Sequence, residues 1–188
     1  MPELIIRRAV PEDSHQVASL IALAMHDIIL RFIGEDSEAK AQQLLYRLVS
    51  KKGNQYSFEN CWVAEIEKEV VAAACIYDGA KLKVLRKPVA EEIAGMFGRN
   101  FNPEDETQAG EFYIDSVGVM PSHQGMGIGT KIFEFLIEEY VYTRKKAIGL
   151  LVDKENPDAK RLYLKLGFKY LGDKNLAGKQ MEHFQLKI

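Results

Sequence analysis

The sequence predicts a single α/β domain over residues 1–188, with a central sheet that contains both parallel and antiparallel strands. Strand-like and helix-like patterns alternate along the chain, which is typical of this class. Two apolar runs at 61–66 and 70–77 flank a polar Glu-Lys-Glu turn and predict an antiparallel hairpin. A strand–helix–strand unit at 112–152 predicts two parallel strands, because parallel neighbours need a long crossover. The sheet is therefore expected to be mixed.

The composition is that of an ordinary globular protein, since 47% of the residues are hydrophobic and 28% are charged. This balance excludes disordered and fibrous classes. A chain of this length also buries enough surface to fold without disulfide or metal staples. The 25 basic and 27 acidic residues leave a formal charge of −2. Such a chain has no broad cationic surface, so we expect neither a nucleic acid nor an anionic membrane as its partner.

The N-terminal residues and the cysteines predict a cytoplasmic protein. Residues 1–8 lack the basic and apolar regions of a signal peptide. The most apolar longer stretch, at 17–30, is interrupted by a His-Asp pair and is too short to span a bilayer. Cys61 and Cys75 lie in apolar runs and are expected to be buried thiols, with a single disulfide as the alternative. No sequence feature defines an oligomer interface.

The first half of the chain is expected to contain a strand, two helices and a less regular segment. Residues 4–8 form the strand, and a Pro-Glu-Asp-Ser start leads into a helix whose apolar residues recur every three or four positions through Ile28. A second helix is predicted at 37–50. Residues 78–110 have too few apolar side chains for a core of their own, so we interpret them as an insertion with a helix at about 89–97.

The second half of the chain alternates between strands and helices. Strands are predicted at 112–120, 148–152, 168–171 and 181–188, and helices at 128–142 and 157–166. A glycine-rich turn connects the first of these strands to the first of these helices.

That glycine-rich turn has the features of a phosphate site. Gly125, Gly127 and Gly129 lie at the start of the helix, where unpaired amide groups and the helix dipole favour an anion. Glycines also let the main chain approach such an anion closely. Three alternating glycines favour this interpretation over a plain turn. The spacing matches neither a P-loop nor a dinucleotide fingerprint, since Gln124 and Thr130 stand where those motifs need glycine.

Two motifs resemble those of the GNAT superfamily of N-acetyltransferases. Residues 124–129 have the pattern Gln-x-x-Gly-x-Gly after a strand that ends in Val-Gly-Val-Met-Pro, which is similar to the acetyl-CoA motif of that family. Residues 156–168 match the family pattern Asn-x-x-Ala-x-x-Leu-Tyr-x-Lys-x-Gly-Phe at every named position. The resemblance implies a GNAT-like, mostly antiparallel central sheet of about six to seven strands flanked by about four helices, with an insertion at 78–110.

The resemblance also implies roles for individual residues. Loop contacts to the CoA diphosphate fall on Gln124, Gly125, Gly127, Gly129 and Thr130, and strand contacts to the pantetheine arm fall on Val117 and Val119. Tyr163 would protonate the departing CoA thiolate, although its position on a helix face also fits a core tyrosine. Asn156 is expected to cap a helix, to contact acetyl-CoA, or to do both. Gly118 would either ease a bulge in the strand or accommodate packing.

A base is required because an alkyl ammonium has a pKa of about 10 and must lose a proton before it attacks a thioester. Strand alternation predicts that one face carries Glu111, Tyr113, Asp115, Val117 and Val119. In the polyamine acetyltransferases that this chain resembles, a carboxylate at the place of Asp115 meets the amine. Asp115 is therefore our first candidate for base or ammonium anchor, and Glu111 is the second, acting through a water. The alternative for each is a solvated or salt-bridged strand carboxylate.

The sequence thus predicts an acetyl-CoA-dependent N-acetyltransferase in which a primary amine attacks directly in a ternary complex. A small amine or polyamine is the leading acceptor, followed by a protein N-terminus or lysine. A non-catalytic acyl-CoA sensor is an alternative of a different class. The scattered histidines and cysteines predict no metal site. The acidic run at 104–106 is expected to be solvated loop, with recognition of a cationic acceptor as its alternative.

Overall fold

A seven-stranded sheet forms the centre of the computed structural model, which describes residues 3–188. The strands are β1 (Leu4–Arg8), β2 (Cys61–Ile66), β3 (Glu69–Asp78), β4 (Glu111–Val119), β5 (Ala147–Asp153), β6 (Lys169–Leu176) and β7 (Lys179–Leu186). Their order in the sheet is β1-β2-β3-β4-β5-β7-β6. All neighbours pair antiparallel except β4 and β5, which are parallel. The predicted mixed, mostly antiparallel sheet is confirmed.

The same residues form six α-helices, two more than expected. They are α1 (Ser14–Ala24), α2 (His26–Ile33), α3 (Glu38–Val49), α4 (Leu82–Phe97), α5 (Ile128–Leu136) and α6 (Pro157–Lys165). The predicted first helix is interrupted at Met25, where its two parts meet at an angle of 96°. The π-helical segment Ile137–Thr143 continues α5. Among residues 3–188 no single helix is long and apolar enough to cross a membrane, and only the bent α1–α2 pair reaches that length and composition together.

Two hydrophobic cores lie on opposite faces of the sheet. The first core packs α1–α4 against one face and includes Val17, Ile21, Leu44, Leu48 and Ile93. The second core packs α5 and α6 against the other face and includes Ile132, Leu136, Leu150, Phe168 and Phe184. Each fully buried side chain of this kind stabilises the fold by about 1.5–3 kcal/mol. Cys61 and Cys75 lie in the first core as free thiols, as predicted.

The segment 78–110 is built into the first core. Its helix α4 begins well before the predicted start near residue 89, and it buries Val89 and Ile93 against α2 and α3. Phe101 after the helix is buried in the same core. The sequence misses this packing because a few apolar residues suffice when they join a core that other elements have already formed.

A β-bulge interrupts β4 at Asp115. Cys75 of β3 pairs with Ser116, whereas the next residue, Ile76, pairs with Ile114. Asp115 is therefore the extra residue that has no partner on β3, and the side-chain alternation of β4 shifts by one position at this point.

The bulge corrects the expectation that one face of β4 carries all five candidate side chains. Tyr113 belongs to the first core, whereas Val117 and Val119 pack against the second core. Glu111, two residues before Tyr113, lies on the same face as Tyr113 and therefore opposite the two valines. Simple alternation is wrong here because it ignores the residue inserted at Asp115.

Gly118 allows α1 to lie directly on β4. A Cβ atom at this position would lie 2.1 Å from the carbonyl oxygen of Leu20 in α1. The packing alternative for Gly118 is therefore correct, and the bulge lies at Asp115 instead.

We predict that Gly118→Ala destabilises the protein, because the new methyl group meets helix backbone that cannot rotate away. The expected loss in the free energy of unfolding is about 1–3 kcal/mol, measured by urea denaturation. Gly95→Ala is the matched control, since no described atom other than its chain neighbours and the nearby backbone of α4 lies within 4 Å of its Cβ position. That change should be neutral or stabilising by up to about 1 kcal/mol. Equal stability of the two variants would contradict the packing explanation.

Candidate active site

A cavity opens where β4 and β5 separate. The two strands pair from Glu111 with Ala147 to Ile114 with Leu150, and no further pair joins them within the described chain. Beyond this point β4 continues beside β3, and β5 continues beside β7. The facing edges therefore carry backbone groups that have no strand partner. The cavity between them has a volume of about 540 Å³.

The cavity reaches both faces of the sheet and has two chemically different halves. We call the side that faces the second core the α6 half, and it is lined by Phe133, Val152, Asn156, Ala159 and Tyr163. We call the side that faces the first core the α2 half, and its apolar lining includes Met25, Phe32, Tyr56, Leu176 and Met181. Polar groups also line the α2 half, namely His26, Asp27, Glu106, Asp153 and Lys179.

Asp115, the bulge residue of β4, lies in the lining of this cavity. Its half-buried side chain lines the cavity, and no residue among 3–188 forms a hydrogen bond or ion pair with its carboxyl group. Burial, together with the charge of Glu106, raises the pKa of Asp115 to about 8, and the charge of Arg86 only partly opposes this. The carboxyl group is therefore mostly protonated at neutral pH and titrates within the physiological range.

Glu106 provides a fixed negative charge on the wall of the α2 half. Its carboxylate accepts hydrogen bonds from Gln55 (2.7 Å) and the hydroxyl of Tyr77 (3.0 Å), and it pairs with Arg86 of α4. The expectation of a solvated loop is therefore wrong for Glu106, which is only 5% exposed. The sequence offers no signal for this pairing, because Arg86 lies on a different element from the acidic run.

Tyr163 packs in the second core and also lines the cavity, which are the two alternatives that the sequence left open. Its ring packs edge-on against Phe133 and Phe168, with centroids 5.2 and 6.0 Å away. The same side chain lines the α6 half of the cavity. Burial raises the pKa of Tyr163 to about 12, so its hydroxyl group keeps its proton at physiological pH and is able to donate it.

The glycine-rich turn forms an open cradle before α5. Gly125 and Gly127 both have φ angles of +77°, and Gly127 is the N-cap of the helix. Apart from each glycine and its two chain neighbours, no described atom lies within 4 Å of the positions that their Cβ atoms would take. The backbone at these two positions is therefore bare and exposed, next to the unpaired amide groups of the first helical turn. This geometry suits a phosphate group.

The other residues expected to contact acetyl-CoA lie at different places around this cradle. Gln124 donates a hydrogen bond to the carbonyl of Val119 at 3.1 Å, which closes the turn. Val117 lines the cavity on the free edge of β4. Gly129 and Thr130 lie in the first turn of α5, and Gly129 has an ordinary helical φ. A Cβ atom on Gly129 would make only an ordinary 3.8 Å contact, so this glycine is not required by the backbone.

Asn156 caps α6 and also faces the cavity. Its side-chain oxygen accepts a hydrogen bond from the backbone N–H of Ala159 at 3.1 Å. Both residues line the α6 half. The capping expectation is confirmed, and the same side chain is close enough to the cavity to contact a ligand there.

The structure places Glu111 away from the cavity. Its side chain is only 2% exposed and accepts hydrogen bonds from Thr107 (2.7 Å), His183 (2.9 Å) and Gln185 (2.8 Å). Burial alone would raise the pKa of Glu111, but these hydrogen bonds outweigh it and hold the pKa below its usual range. A Cβ atom on Gly149 would lie 2.2 Å from this carboxylate, so the glycine makes room for it. Glu111 therefore joins β4 to β7 across β5.

Comparison with known proteins identifies the family. The model of the Acetyltransferase (GNAT) family matches residues 23–168, which include the segment 78–110. The chain belongs to the GNAT family of acetyltransferases. Members of this family use acetyl-CoA as co-substrate, and the open cradle at Gly125 and Gly127 has the space and the backbone donors that its diphosphate group needs.

Three relatives of this GNAT protein resemble it over different fractions of its chain. A solved acetyltransferase structure is 31% identical, covers 98% of this chain and 99% of its own, and superposes with a TM-score of 0.79. An N-acetyltransferase from Staphylococcus aureus Mu50 shares the fold, with a TM-score of 0.86 at 22% identity over 97% of this chain and 100% of its own. The 5-NmdU N-acetyltransferase of Pseudomonas phage PaMx11 is 30% identical over 81 residues, which span 43% of this chain and 55% of the phage protein.

We predict that Glu111→Gln lowers the stability of this GNAT protein without moving any group that lines the cavity. Loss of the buried charge should cost about 1–3 kcal/mol in the free energy of unfolding at neutral pH. Because folding lowers the pKa of Glu111, its stabilisation is present above its unfolded pKa of about 4.3 and is lost as the pH falls through the folded value. The difference between wild type and variant should therefore shrink below about pH 4.

Urea denaturation at both pH values measures this difference. The exposed Glu69→Gln in β3 is the control and should change stability by less than about 0.5 kcal/mol. A Glu111→Gln variant as stable as this control would show that the buried network contributes little.

Proposed function

We propose that this protein is an acetyl-CoA-dependent N-acetyltransferase that acetylates the primary amine of a small acceptor, a small amine or polyamine, by direct attack in a ternary complex. The observation that carries the proposal is the Asp115 carboxyl group, which has no partner among residues 3–188 and faces the cavity between β4 and β5. Family membership supports the transfer of an acyl group, and Asp115 is what selects an amine.

Asp115 acts as the base and as the ammonium anchor. An alkyl ammonium has a pKa of about 10, so at neutral pH it reaches the cavity charged and must lose its proton. A carboxylate whose pKa has been raised to about 8 takes this proton more effectively than an ordinary aspartate. The ammonium enters the α2 half, pairs with the Asp115 carboxylate and transfers a proton to it, and the neutral amine then lies at the junction of the two halves.

Acetyl-CoA supplies the acetyl group as an activated thioester. Gly125 and Gly127 with the amide groups at the start of α5 hold its diphosphate, helped by Gln124, Gly129 and Thr130. The unpaired edge of β4 at Val117 and Val119 binds the pantetheine arm as a neighbouring strand would, and its N–H groups stabilise the oxyanion. Asn156 contacts the arm from the α6 half.

Tyr163 acts as the acid. The new bond joins the amine nitrogen to the acetyl carbon, and the bond from that carbon to sulfur breaks. Tyr163 donates its hydroxyl proton to the leaving sulfur, and the tyrosinate is reprotonated through solvent by the proton that the nitrogen loses as the amide forms. Asp115 releases the proton that it took from the ammonium to solvent, so one proton is released in each turnover. This role needs a neutral hydroxyl group in the α6 half, which its pKa of about 12 supports.

The part of the α2 half where α2 meets the β6–β7 hairpin, at Asp27, Asp153 and Lys179, we call the mouth of the cavity. It favours a small acceptor over a protein N-terminus or lysine. Lys179 of β7 pairs with Asp27 of α2, and Arg31 of α2 donates a hydrogen bond to the carbonyl of Ala177 in the β6–β7 hairpin. These contacts bridge α2 and the hairpin beside the α2 half, which narrows the path for a folded partner.

The buried free thiols support a reducing compartment such as the cytoplasm.

We predict that Asp115→Asn lowers kcat/KM for amine acetylation by roughly 10²–10⁴-fold at neutral pH. In the wild type, kcat/KM should rise as the pH increases through about 8, because Asp115 must lose its proton before it accepts one from the substrate. The variant should lack this limb of the profile. CoA release measured with a panel of primary amines over a range of pH tests both statements.

Asp36→Asn, an exposed carboxylate between α2 and α3, is the control and should keep the wild-type profile. The proposed role of Asp115 is wrong if Asp115→Asn turns over an amine that the wild type acetylates at an unchanged rate at every pH.

We predict that Tyr163→Phe lowers kcat by roughly 100-fold or more while acetyl-CoA still binds. Binding is measured by thermal unfolding, since a ligand at about 100 times its Kd adds about 2.7 kcal/mol and shifts the midpoint by several degrees. Plain CoA should give a similar shift and ATP should give none. Tyr170→Phe, an exposed tyrosine on β6, is the control. Binding by the wild type without turnover of any amine would favour the sensor alternative.

A further inference from the structure

The α2 half of the cavity already contains an alkylammonium group. Lys179 at the start of β7 lies between two carboxylates, with its Nζ in contact with Asp153 at the end of β5 and 3.4 Å from Asp27 in the first turn of α2. All three residues line the cavity. The Lys179 side chain is 17% exposed, and its pairing with the carboxylates raises its pKa, so it stays charged. Two carboxylates at the mouth therefore form an ammonium site that the chain itself fills.

The other carboxylates of the cavity lining do not provide a second ammonium site of this kind. Both oxygens of Glu106 are engaged, by Gln55 and Tyr77 on one side and by Arg86 on the other. Glu155 is exposed, so water and salt screen its charge.

His26 contacts Asp27, the same carboxylate that pairs with Lys179. Hydrogen bonds with Glu38 and Asp27 raise its pKa, which favours the imidazolium form. Asp115 therefore remains the one carboxyl group of the described cavity lining that is both enclosed and without a partner. The rest of the α2 half is apolar and aromatic, which suits a hydrocarbon body but not a second charge.

We propose that Lys179 determines acceptor specificity, by occupying the site between Asp27 and Asp153 that the second ammonium of a diamine would need. This narrows the proposed acceptor, a small amine or polyamine, to the first of the two: a monoamine with an uncharged tail is preferred, and diamines and polyamines are rejected. This inference rests on the proposed function, because it requires an amine acceptor at Asp115. The physical reason is that a second ammonium at the mouth meets the charge of Lys179 and finds both carboxylates already paired.

Removal of the lysine charge should reverse this preference. The experiment compares kcat/KM for n-alkylamines with kcat/KM for α,ω-diamines of matched length, from three to six methylene groups, counted per amino group. The wild type should prefer the monoamine of each pair. Lys179→Met leaves Asp27 and Asp153 free to bind the second ammonium, so the diamine-to-monoamine ratio should rise roughly tenfold, mainly through a lower KM for the diamine.

Three further variants define the cause of such a change. Lys179→Arg keeps the charge and should keep the wild-type ratio. Lys154→Met removes a lysine that pairs with Asp173 outside the cavity, and it should also leave the ratio unchanged. In the double variant Lys179→Met with Asp153→Asn, the gain should be lost because one of the two freed carboxylates is gone. A ratio is compared in each case, so a general loss of activity in a less stable variant does not mimic the effect.

The outcomes separate this inference from the proposed function. If wild type and variants acetylate monoamines and Lys179→Met does not raise the ratio, the role of Lys179 is overturned while the proposed function stands. A wild type that already prefers diamines overturns it as well. If neither the wild type nor any variant acetylates a primary amine, the proposed function fails, and the inference falls with it.

Discussion

The separation of β4 and β5 is the constraint on which the rest of the structure depends. Glu111 fixes its closed end, because the carboxylate at the start of β4 reaches over Gly149 of β5 to His183 and Gln185 of β7. Three strands are thereby fastened together on one side of the parallel pair. At the other end the bulge lies at Asp115, directly after Ile114, which is the last residue of β4 that pairs with β5. The cavity and the free strand edge both follow from these two features.

The carboxyl group of Asp115 in the cavity lowers the stability of the fold when it is ionised. Because folding raises the pKa of Asp115 from its ordinary value near 3.9 to about 8, the folded protein binds more protons than the unfolded chain between these values. The free energy of unfolding therefore falls as the pH rises through this window. A carboxyl group that only served the fold would have a partner, as Glu106 has in Arg86 and Glu111 has in His183. Such an uncompensated group is typical of a functional site.

Most of the fold could be predicted from the sequence because its signals are local. The alternation of β7, the helical spacing in α5 and the Asn-Pro start of α6 each depend on residues within one element. The bulge at Asp115 could not be predicted, since it is defined by the register against β3 and not by β4 alone. The same applies to the pairing of Glu106 with Arg86, two residues on different elements that only the folded chain brings together.

The candidate site also has one part that a local sequence motif predicts and another part that only the folded chain brings together. Backbone recognition of a diphosphate needs glycines and a cap residue at the start of a helix. These residues are close together in the sequence, so they form a short continuous motif such as that at Gly125 and Gly127. The α2 half of the cavity is lined instead by side chains from α2, the segment 78–110 and the β6–β7 hairpin, which share no spacing in the sequence.

Residues such as Lys179 and Asp27 lie at the ends of their elements, outside both hydrophobic cores. Their replacement changes the charge at the mouth of the cavity while the packed faces of the sheet remain as they are. Under the proposed function, one or two substitutions at these positions would change the acceptor and leave the co-substrate unchanged, because the residues proposed for the two tasks lie on different parts of the chain.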